Sequence, residues 1–328
     1  MGGFFMKHVN KWFFYIGMIF FVPYGITMLM TGVIGVGIGE ERMRSGIDIY
    51  ISEEESIDLE QYVVGTMASQ IPADYEMEAL KGQAIIQRTN ILNEMEREKT
   101  NQSLELPFLY WNEEQLQEKW GEKNWKLYYE KLRKAVADTK GMYMTCDGEY
   151  IEAYYHAVSI GTTVSAKELL DKDISYLQSV ESTKDVESKD YMNIHQYSYE
   201  EVKERLQKKG ISVTVEQLKN GLRIQKKTKL GYVLELKVQD KTIKGEAWQE
   251  WFSLPSMNFY LEDYQDELRM ISLGKGRGLG FSQYGANEMA KEKATYEEIL
   301  KYYYKGVALN KITESGNDTR RGDENEEN

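Results

Sequence analysis

Residues 12–38 contain no charged side chain, and this stretch constrains the fold more than any other feature of the chain. As a helix rising about 1.5 Å per residue it spans roughly 40 Å, more than the ~30 Å hydrocarbon core of a bilayer. It is long for the apolar part of a signal peptide, and no clear small-residue cleavage site follows it. The sequence therefore predicts a membrane helix, with a cytoplasmic stub and transmembrane anchor in residues 1–39. A cleaved signal peptide is the alternative.

The charges beside this stretch set the expected orientation. Lys7 and Lys11 precede it, whereas acidic and basic residues both follow within residues 40–44, so the positive-inside signal is modest. The short N-terminal flank favours a cytoplasmic N-terminus. We therefore expect a single-pass protein of the cell membrane whose C-terminal domain is extracytoplasmic.

Net charge and scarce metal ligands exclude several classes of function. The net charge of -12 argues against a nucleic-acid partner, because such proteins carry a basic stripe. Cys146 is the only cysteine, so no intrachain disulfide can form. Structural zinc normally takes four ligands at paired spacings, and this cysteine with His8, His156 and His195 offers no such pairing. We expect neither a metal nor another cofactor.

Two amphipathic helices are predicted near the start of the domain. Asp58 is a suitable N-cap for the first. Its apolar stripe is Leu59, Tyr62, Val63, Thr66 and Met67. Pro72 ends this helix, so Gln70 lies at a helix boundary, where a side chain can project into a cleft. The second helix is expected over residues 74–98. Arg88 lies on its apolar side and therefore needs a carboxylate or backbone carbonyls as partners.

The rest of the chain mixes strands with shorter helices. A hairpin is predicted over residues 141–155, because apolar residues flank the type I′ turn signal Asp147-Gly148. The other predicted elements are a charged helix at 113–139, short helices at 199–209 and 246–252, strands within 222–238 and at 257–261, and helices at 283–293 and 296–304. This pattern predicts an α+β fold with helical and β-rich parts. Its predicted limits are a linker at 40–57, one mixed domain at 58–310 and a disordered acidic tail at 311–328.

Three segments carry the candidate chemistry: residues 62–89, 153–169 and 274–286. The third has glycine at alternate positions from Gly274 to Gly280, before a Ser-Gln-Tyr-Gly sequence. A dinucleotide-binding loop is a weak interpretation, since no clear βαβ pattern accompanies it. Alternating glycines allow the close approach of either another backbone segment or a sugar, and both interpretations stay open.

As a set, these segments resemble the stage II sporulation protein D (SpoIID/LytB) family, whose best-characterised members cleave the glycan strands of peptidoglycan. The family pattern Ala-Ser-Glu-Met-Pro corresponds to Ala-Ser-Gln-Ile-Pro at residues 68–72. The middle pattern Tyr-His-Ser-x-Ser-x-Gly-x-Thr is matched by Tyr155, His156, Ser159, Gly161 and Thr163. In the glycine segment, Arg277 stands where the family usually has histidine. The resemblance covers roughly residues 50–306.

The resemblance implies a lytic transglycosylase that uses one carboxylic acid. That acid protonates the glycosidic oxygen and then helps the C6 hydroxyl of the muramic sugar attack C1, which leaves a 1,6-anhydro end. Ordinary glycoside hydrolysis instead uses two carboxylates and a water. Gln70 occupies the position of this acid. An amide can hydrogen-bond a sugar but cannot donate a catalytic proton, and acid–base catalysis contributes roughly 10²- to 10⁴-fold in rate.

Three explanations of Gln70 stay open. The protein is a glycan-binding pseudoenzyme, or a nearby carboxylate, Glu76 or Glu78, replaces the missing acid. Alternatively, the position assigned to the family acid is off by one helical turn, and Glu78 or another acidic residue is the real one. Glu78 also suits the first turn of a helix, where the macrodipole favours an acid and Lys81 is an i,i+3 partner.

The resemblance also implies the walls of a cleft. One wall is expected from Ser69, Gln70, Lys81 and Arg88, a second from His156, Ser159 and Thr163, and the closing side from Arg277, Ser282, Gln283 and Tyr284. Within this cleft, an arginine at position 277 can pair with the lactyl carboxylate of N-acetylmuramic acid.

Three functions follow as hypotheses. The first is a membrane-anchored lytic transglycosylase acting on peptide-stripped glycan strands, with weakened or lost catalysis if no other acid serves. The second is an inactive glycan-binding scaffold or amidase enhancer that works with wall-remodelling proteins. The third is a structural membrane-anchored protein without glycan affinity.

Overall fold

The structure is a computed structural model that describes residues 43–52, 54–98 and 106–312. The predicted membrane helix at 12–38 lies outside these residues, as does nearly all of the predicted acidic tail. Among the helices that the structure describes, none has the length and apolar character needed to cross a bilayer.

The elements alternate along the chain without a regular repeat. The helices in the described ranges are α1 (Leu59–Gln70), α2 (Met77–Arg97), α3 (Glu113–Asp138), α4 (Ala166–Leu170), α5 (Tyr199–Lys208), α6 (Val215–Gly221), α7 (Gly245–Trp251), α8 (Gln283–Lys291) and α9 (Tyr296–Tyr303). The strands there are β1 (Asp48–Tyr50), β2 (Ser56–Asp58), β3 (Met142–Cys146), β4 (Glu149–Tyr150), β5 (Tyr155–His156), β6 (Met192–Ser198), β7 (Arg223–Lys227), β8 (Val233–Val238), β9 (Lys241–Lys244), β10 (Phe259–Tyr264), β11 (Glu267–Leu273), β12 (Phe281–Ser282) and β13 (Ala308–Lys311). A 3₁₀ turn covers Thr183–Glu187.

The first helices form a helical core together with an N-terminal hairpin. Asp58 caps α1 as predicted, since its carboxylate accepts a hydrogen bond from the amide of Glu60 (2.9 Å). The apolar stripe predicted for α1 is buried. Residues 40–57, expected to be a linker, include β1 and β2, which pair with each other. Ile49 of β1 is buried in the helical core, so the folded domain begins before Asp58.

The next two helices depart from the prediction at their ends and in their course. α2 begins at Met77 rather than Asp74, because the chain turns after Pro72. In this turn the amide of Tyr75 donates a hydrogen bond to the carbonyl of Pro72 (3.2 Å). α3 is broken at Gly121, whose φ of 71° and ψ of 158° are not helical. The predicted charged helix is therefore two helical segments in sequence.

The predicted hairpin around Asp147-Gly148 is present. The two residues have φ values of 52° and 83°, as a type I′ turn requires, and β3 and β4 pair on either side of it. The second strand ends at Tyr150, earlier than expected. β13 pairs with the other edge of β3, so the end of the described chain belongs to the same small sheet.

A second core lies between α2, the strands β5 and β12, and the two C-terminal helices α8 and α9. Ile85 and Ile86 of α2 meet Phe281 of β12 and Tyr303 of α9 there. α2 borders both cores, because its other buried side chains, such as Leu80 and Ile91, join the helical core. This helix therefore connects the N-terminal part of the domain to the two later segments.

Residues 192–273 form an outer lobe with a core of its own. Two three-stranded antiparallel sheets, ordered β7-β8-β9 and β10-β11-β6, enclose it with α5, α6 and α7. The strands predicted within residues 222–238 are β7 and β8, separated at Gly231, whereas β6 and β11 were not predicted. The ends of the outer lobe are adjacent, since the amide of Gly274 donates to the carbonyl of Tyr191 (2.7 Å). The mixed architecture confirms the α+β prediction.

Candidate functional site

The three segments singled out in the sequence meet at one place. β5 and β12 pair in parallel, which sets Ser282 beside His156. From the next position, the side-chain amide of Gln283 donates to the carbonyl of Gln70 (3.1 Å) and to the side-chain oxygen of Gln83 (3.2 Å). We call this place the three-motif junction.

Gln70 is the last residue of α1 and is partly exposed at the junction. Its neighbour Ser69 is also partly exposed, but the hydroxyl of Ser69 donates to the carbonyls of Thr66 (2.8 Å) and Leu109 (3.0 Å). Ser69 therefore secures the end of α1 against the following segment. Of the predicted pair, Gln70 is the better placed for a ligand.

Neither candidate replacement for the missing acid is buried and free. Glu76 is exposed just before α2, and its backbone amide donates to the side chain of Asn287 (2.7 Å). Glu78 uses both carboxylate oxygens: one accepts from Lys81 (2.8 Å) and the other from the amide of Tyr296 at the start of α9 (2.9 Å). Glu78 thus joins α2 to α9, and the macrodipole of each helix favours its charge.

The two basic residues expected in the first wall have structural partners. Lys81 bridges Glu78 and Asp138 (3.5 Å), and although partial burial opposes its charge, these carboxylates raise its pKa. Arg88 is 0% exposed and forms an ion pair with Glu60, also 0% exposed, with N–O distances of 2.5–3.2 Å. The guanidinium also donates to the carbonyl of Met142 (2.9 Å). The partner required of Arg88 is therefore present, and its burial shows that this residue braces the first wall from inside and does not line it.

His156 is buried at the junction in a defined tautomer. Its Nδ1 lies 2.9 Å from the carbonyl oxygen of Leu279, and because a carbonyl only accepts, Nδ1 carries the proton. Burial lowers the pKa of His156, partly offset by the carboxylate of Asp185 and by the Leu279 carbonyl. The neutral ring then has a lone pair on Nε2, which is buried without a hydrogen-bond partner among the described residues.

Asp185, which sequence reasoning missed, organises the middle of the junction. It lies in the 3₁₀ turn and is fully buried. Its carboxylate accepts hydrogen bonds from the amide of Ser159 (2.8 Å) and from the hydroxyl of Ser282 (2.7 and 3.0 Å). The turn sequence around Asp185 has no periodicity that marks it, and its partners come from other segments of the chain.

The hydroxyls predicted for the second wall are also buried. The Ser159 hydroxyl accepts from the amide of Gly161 (3.1 Å), and the Thr163 hydroxyl accepts from the amide of Val180 (2.9 Å). Both side chains are 0% exposed, so Ser159 and Thr163 lie behind the surface of the expected second wall and not on it. These residues instead fix the chain that carries His156 against the segment that leads to Asp185.

The alternating glycines make a close backbone crossing. The amide of Lys275 donates to the carbonyl of Val158 (2.7 Å), and the Lys275 carbonyl accepts from two amides of the same segment. A Cβ at Gly278 would overlap the hydroxyl of Tyr232, and one at Gly280 would overlap the carbonyl of Tyr154. The close approach of another backbone segment, one of the two interpretations, is therefore present in the structure.

Arg277 projects from this crossing and is half-exposed, with its guanidinium paired to the carboxylate of Glu246 at the start of α7. It does not touch the other predicted closing residues through any hydrogen bond in the described ranges. Its place is at the boundary with the outer lobe, where an exposed ion pair of this kind contributes little to stability.

Two tyrosines join Gln70 on the partly exposed surface of the junction. Tyr284 was predicted, and its amide donates to the carbonyl of Ala157 (3.0 Å). Tyr75 was not predicted. Burial raises the pKa of Tyr75 first, and Asp74, Tyr284, Asp190 and Asp185 raise it further. Burial likewise raises the pKa of Tyr284, with Glu288 adding to it. Both phenols therefore stay protonated donors at neutral pH.

Further polar groups of the junction come from three glutamine side chains and from Ser282. The side-chain nitrogens of Gln83 and Gln87, one turn apart on α2, are buried without hydrogen-bond partners among the residues described. Ser282 caps α8, and the buried Gln283 joins that helix to α1. Within the described ranges, no group of three histidine, cysteine, aspartate or glutamate residues is arranged to hold a metal ion.

Comparison with known proteins points the same way as the motifs. The SpoIID family model, described as Stage II sporulation protein, matches residues 50–146. Stage II sporulation protein D of Bacillus subtilis (strain 168) is 33% identical over 266 residues, which cover 78% of this chain and 75% of that protein. The protein of the same name from Bacillus amyloliquefaciens is 30% identical, with the same 78% and 75% coverage.

A more distant relative carries a different name. The Amidase enhancer of Bacillus subtilis (strain 168) is 23% identical over 301 residues, covering 75% of this chain and 40% of that protein. Identity of 33% across three quarters of a stage II sporulation protein D, together with the junction of all three motifs, gives the assignment. This chain belongs to the stage II sporulation protein D (SpoIID) family.

Proposed function

We propose that this protein binds peptide-stripped glycan strands of peptidoglycan at the three-motif junction and has lost the cleavage step of its family. One observation carries the proposal. Gln283 of the third motif holds the backbone of Gln70, so the position of the family acid lies at the junction but bears an amide. An amide of this size keeps a sugar hydrogen bond and gives up proton transfer.

The carboxylates nearby support the loss of catalysis. A general acid that works near neutral pH needs its pKa raised, usually by burial against apolar groups. Glu76 is exposed, and Glu78 is held by Lys81 and by the amide of Tyr296. Asp185 is buried, but its oxygens already accept from Ser159 and Ser282. None of these three groups has the combination of burial and freedom that the role demands.

The other groups of the junction favour sugar binding. Tyr75 and Tyr284 are partly exposed aromatic residues whose phenols remain hydrogen-bond donors. Amino sugars carry hydroxyl and N-acetyl groups that match such donors and the amide of Gln70. Aromatic faces with a few placed polar groups are the usual lining of small-ligand sites.

We extend the proposal to the location of the domain. The charge-free residues 12–38 would anchor the chain in the cell membrane and leave the junction on the extracytoplasmic side, where wall glycan lies. Wall-remodelling proteins are the corresponding class of partners.

A second candidate function, enhancement of an amidase, rests on the relative named Amidase enhancer. It needs no acid at position 70 and is compatible with glycan binding. It predicts that adding this protein raises the rate of a wall amidase on intact sacculi. A rate unchanged by saturating protein would contradict it.

The test uses the full chain in detergent micelles with peptide-stripped glycan strands. Binding is measured by co-sedimentation with the strands, and cleavage by mass spectrometry of 1,6-anhydro-muramic ends. We expect the natural chain to bind without products. The variant Gln70→Glu should form products at a rate roughly 10²-fold or more above that of the natural chain.

Gln61→Glu is the matched control, since it makes the same change on the exposed side of α1. It should bind and remain inactive. Products from the natural chain would mean that another carboxylate acts, and would contradict the loss of catalysis. A folded protein that fails to sediment with the strands would contradict the binding proposal itself.

A further inference from the structure

A pocket outside the three-motif junction lies between the C-terminal half of α2 and the chain that leads into β5. Its volume is about 260 Å³. Its walls combine three aromatic rings (Phe108, Tyr154, Tyr155), two carboxylates (Glu94, Glu152) and one guanidinium (Arg97). Sites for drug-sized ligands usually measure ~300–1,000 Å³, so this pocket lies just below that range and has room for a side chain. We call it the α2 pocket.

The α2 pocket carries an excess of negative charge, because two carboxylates face one cation. Arg97 lies between them, with Nη1 at 3.3 Å from Glu94 and 4.0 Å from Glu152. Strong charge-assisted hydrogen bonds are shorter, about 2.7–2.9 Å. The Arg97 side chain is also 62% exposed. A loosely held and exposed cation of this kind is readily displaced.

The carboxylate of Glu152 is held in place by its neighbours. The hydroxyl of Tyr154 donates to Glu152 Oε2 (2.9 Å), and the amide of Glu152 donates to the hydroxyl of Tyr176 (3.0 Å). The side-chain oxygen of Asn90 accepts from the amide of the adjacent Ala153 (2.8 Å), and the side-chain nitrogen of Asn90 donates to the Ala153 carbonyl (3.0 Å). Burial and the Glu152 carboxylate raise the pKa of Tyr154 to about 12, so the phenol keeps its proton and stays a donor to Glu152.

We propose that the α2 pocket binds a primary ammonium group at the end of an alkyl chain, as in lysine or another diamino acid of a peptide. The ammonium takes the position of Arg97 between Glu94 and Glu152. The methylene groups pack against the rings, and the cation is attracted by their faces. The pocket is lined by α2, by Pro107 and Phe108, and by residues 152–155 up to the first residue of β5, without Gln70, His156 or Gln283, so this proposal stands whether or not the junction binds glycan.

A peptide amine fits better than the amine of a sugar. An ammonium on a four-carbon stem can reach the carboxylates while the backbone of the peptide stays outside the small pocket. An amine fixed directly to a sugar ring has no methylene stem to carry it between the two carboxylates, so the ring and its hydroxyl groups must enter with it. Sugar amines are therefore the alternative that the experiment separates.

The binding test uses the full chain in detergent micelles and isothermal titration calorimetry. The probe is the tripeptide Ala-γ-Glu-Lys with its side-chain amine free, compared with the same peptide acetylated on that amine. A tetramer of glucosamine provides the sugar amine. We expect the free amine to bind, acetylation to weaken binding at least about tenfold, and the glucosamine tetramer to bind no better than the acetylated peptide.

Three variants give the proposal a characteristic pattern. Arg97→Ala should tighten binding roughly two- to fivefold, because it removes the cation that competes with the ligand. The double variant Glu94→Gln with Glu152→Gln should weaken it about tenfold or more. Glu216→Gln, an exposed acid on α6 of the outer lobe, should change nothing.

Weaker or unchanged binding in Arg97→Ala would overturn the displacement of Arg97. Equal affinity for free and acetylated peptide, or preference for the glucosamine tetramer, would overturn the choice of ligand. Because no glycan strand is present in this titration, these outcomes are separate from those that decide the function of the junction.

Discussion

Glu60 and Asp185 are both fully buried carboxylates, but the chain satisfies them in opposite ways. Glu60 is neutralised by the guanidinium of Arg88 and also accepts from the amide of Gly141 (3.0 Å). Asp185 accepts only from a backbone amide and a hydroxyl, and no cation pairs with it among the described residues. One charge is cancelled inside the helical core, and the other is kept at the junction.

The paired Glu60 stabilises the fold, whereas the unpaired Asp185 helps to build the site. A cancelled pair produces little field outside itself, so Glu60 and Arg88 serve to connect α1, α2 and the start of β3. An uncancelled carboxylate is stabilised by hydrogen bonds and acts on its neighbours at low dielectric. Asp185 favours the protonated form of His156 and raises the pKa of Tyr75. The junction therefore has a polarised interior even without the acid at position 70.

The largest expected effect on stability follows from breaking the ion pair between Glu60 and Arg88. Arg88→Met removes the cation and leaves Glu60 buried and unpaired, which should lower the free energy of unfolding by about 3–5 kcal/mol. Denaturant unfolding of the full chain measures it. The double variant Glu60→Gln with Arg88→Met should recover a large part of this loss, since no lone charge remains.

Lys167→Met is the control for this comparison. It breaks an ion pair with Asp171 in which both side chains are largely exposed, and it should leave the unfolding curve unchanged. If Arg88→Met lowers the free energy of unfolding no more than this control does, the ion pair of Glu60 and Arg88 contributes little to the stability of the helical core.

A smaller effect is expected at the uncancelled carboxylate. Asp185→Asn keeps one acceptor oxygen and loses the charge, so the hydrogen bonds from Ser159 and Ser282 weaken. The free energy of unfolding should fall by about 1–3 kcal/mol, less than for Arg88→Met, because no opposite charge is left unpaired. A loss equal to or above that of Arg88→Met would reverse the contrast between the two carboxylates.

The smallest effect is a dependence of stability on pH at His156. The folded state holds this ring neutral with a lowered pKa, so the unfolded chain binds more protons below its ordinary value of 6.5. Stability should therefore decline as pH falls below about 6.5, by at most about 1.4 kcal/mol per pH unit for one proton. His156→Gln should remove this part of the slope.

His195→Gln is the matched control, because His195 lies in the outer lobe, away from the junction. Asp185→Asn should extend the decline to lower pH, since the carboxylate that favours protonated His156 is gone. If the dependence of stability on pH persists in His156→Gln and disappears in His195→Gln, it does not come from His156.

Sequence reasoning succeeded where signals are local. The cap at Asp58, the stop at Pro72 and the turn at Asp147-Gly148 each depend on residues next to one another, and each is present. β6 and β11 were missed although β11 alternates in burial, because their inward positions include polar residues and their pairing joins distant parts of the chain. Long-range pairing leaves little trace in a single segment.

The two carboxylates show the same limit at the site. A buried arginine needs a partner, so the sequence required one for Arg88, although it did not identify Glu60. Nothing comparable marked Asp185, because its partner Ser282 is 97 residues away and neither residue type demands the other. The resemblance placed His156, Ser282 and Gln283 together, but only the structure shows that they support the junction from beneath its surface.

The hydrogen bond between Gly274 and Tyr191 has a consequence for the order in which the protein folds. The contact of His156 with Leu279 closes a loop of 123 residues, and the entropy of closure grows by about 0.6 kcal/mol with each doubling of loop length. Once the outer lobe has formed around its own core, its two ends are already together and the remaining loop is far shorter. The outer lobe thus lowers the entropy cost of closing a junction to which it contributes few residues, and we expect a destabilising substitution in its core to slow the assembly of the site.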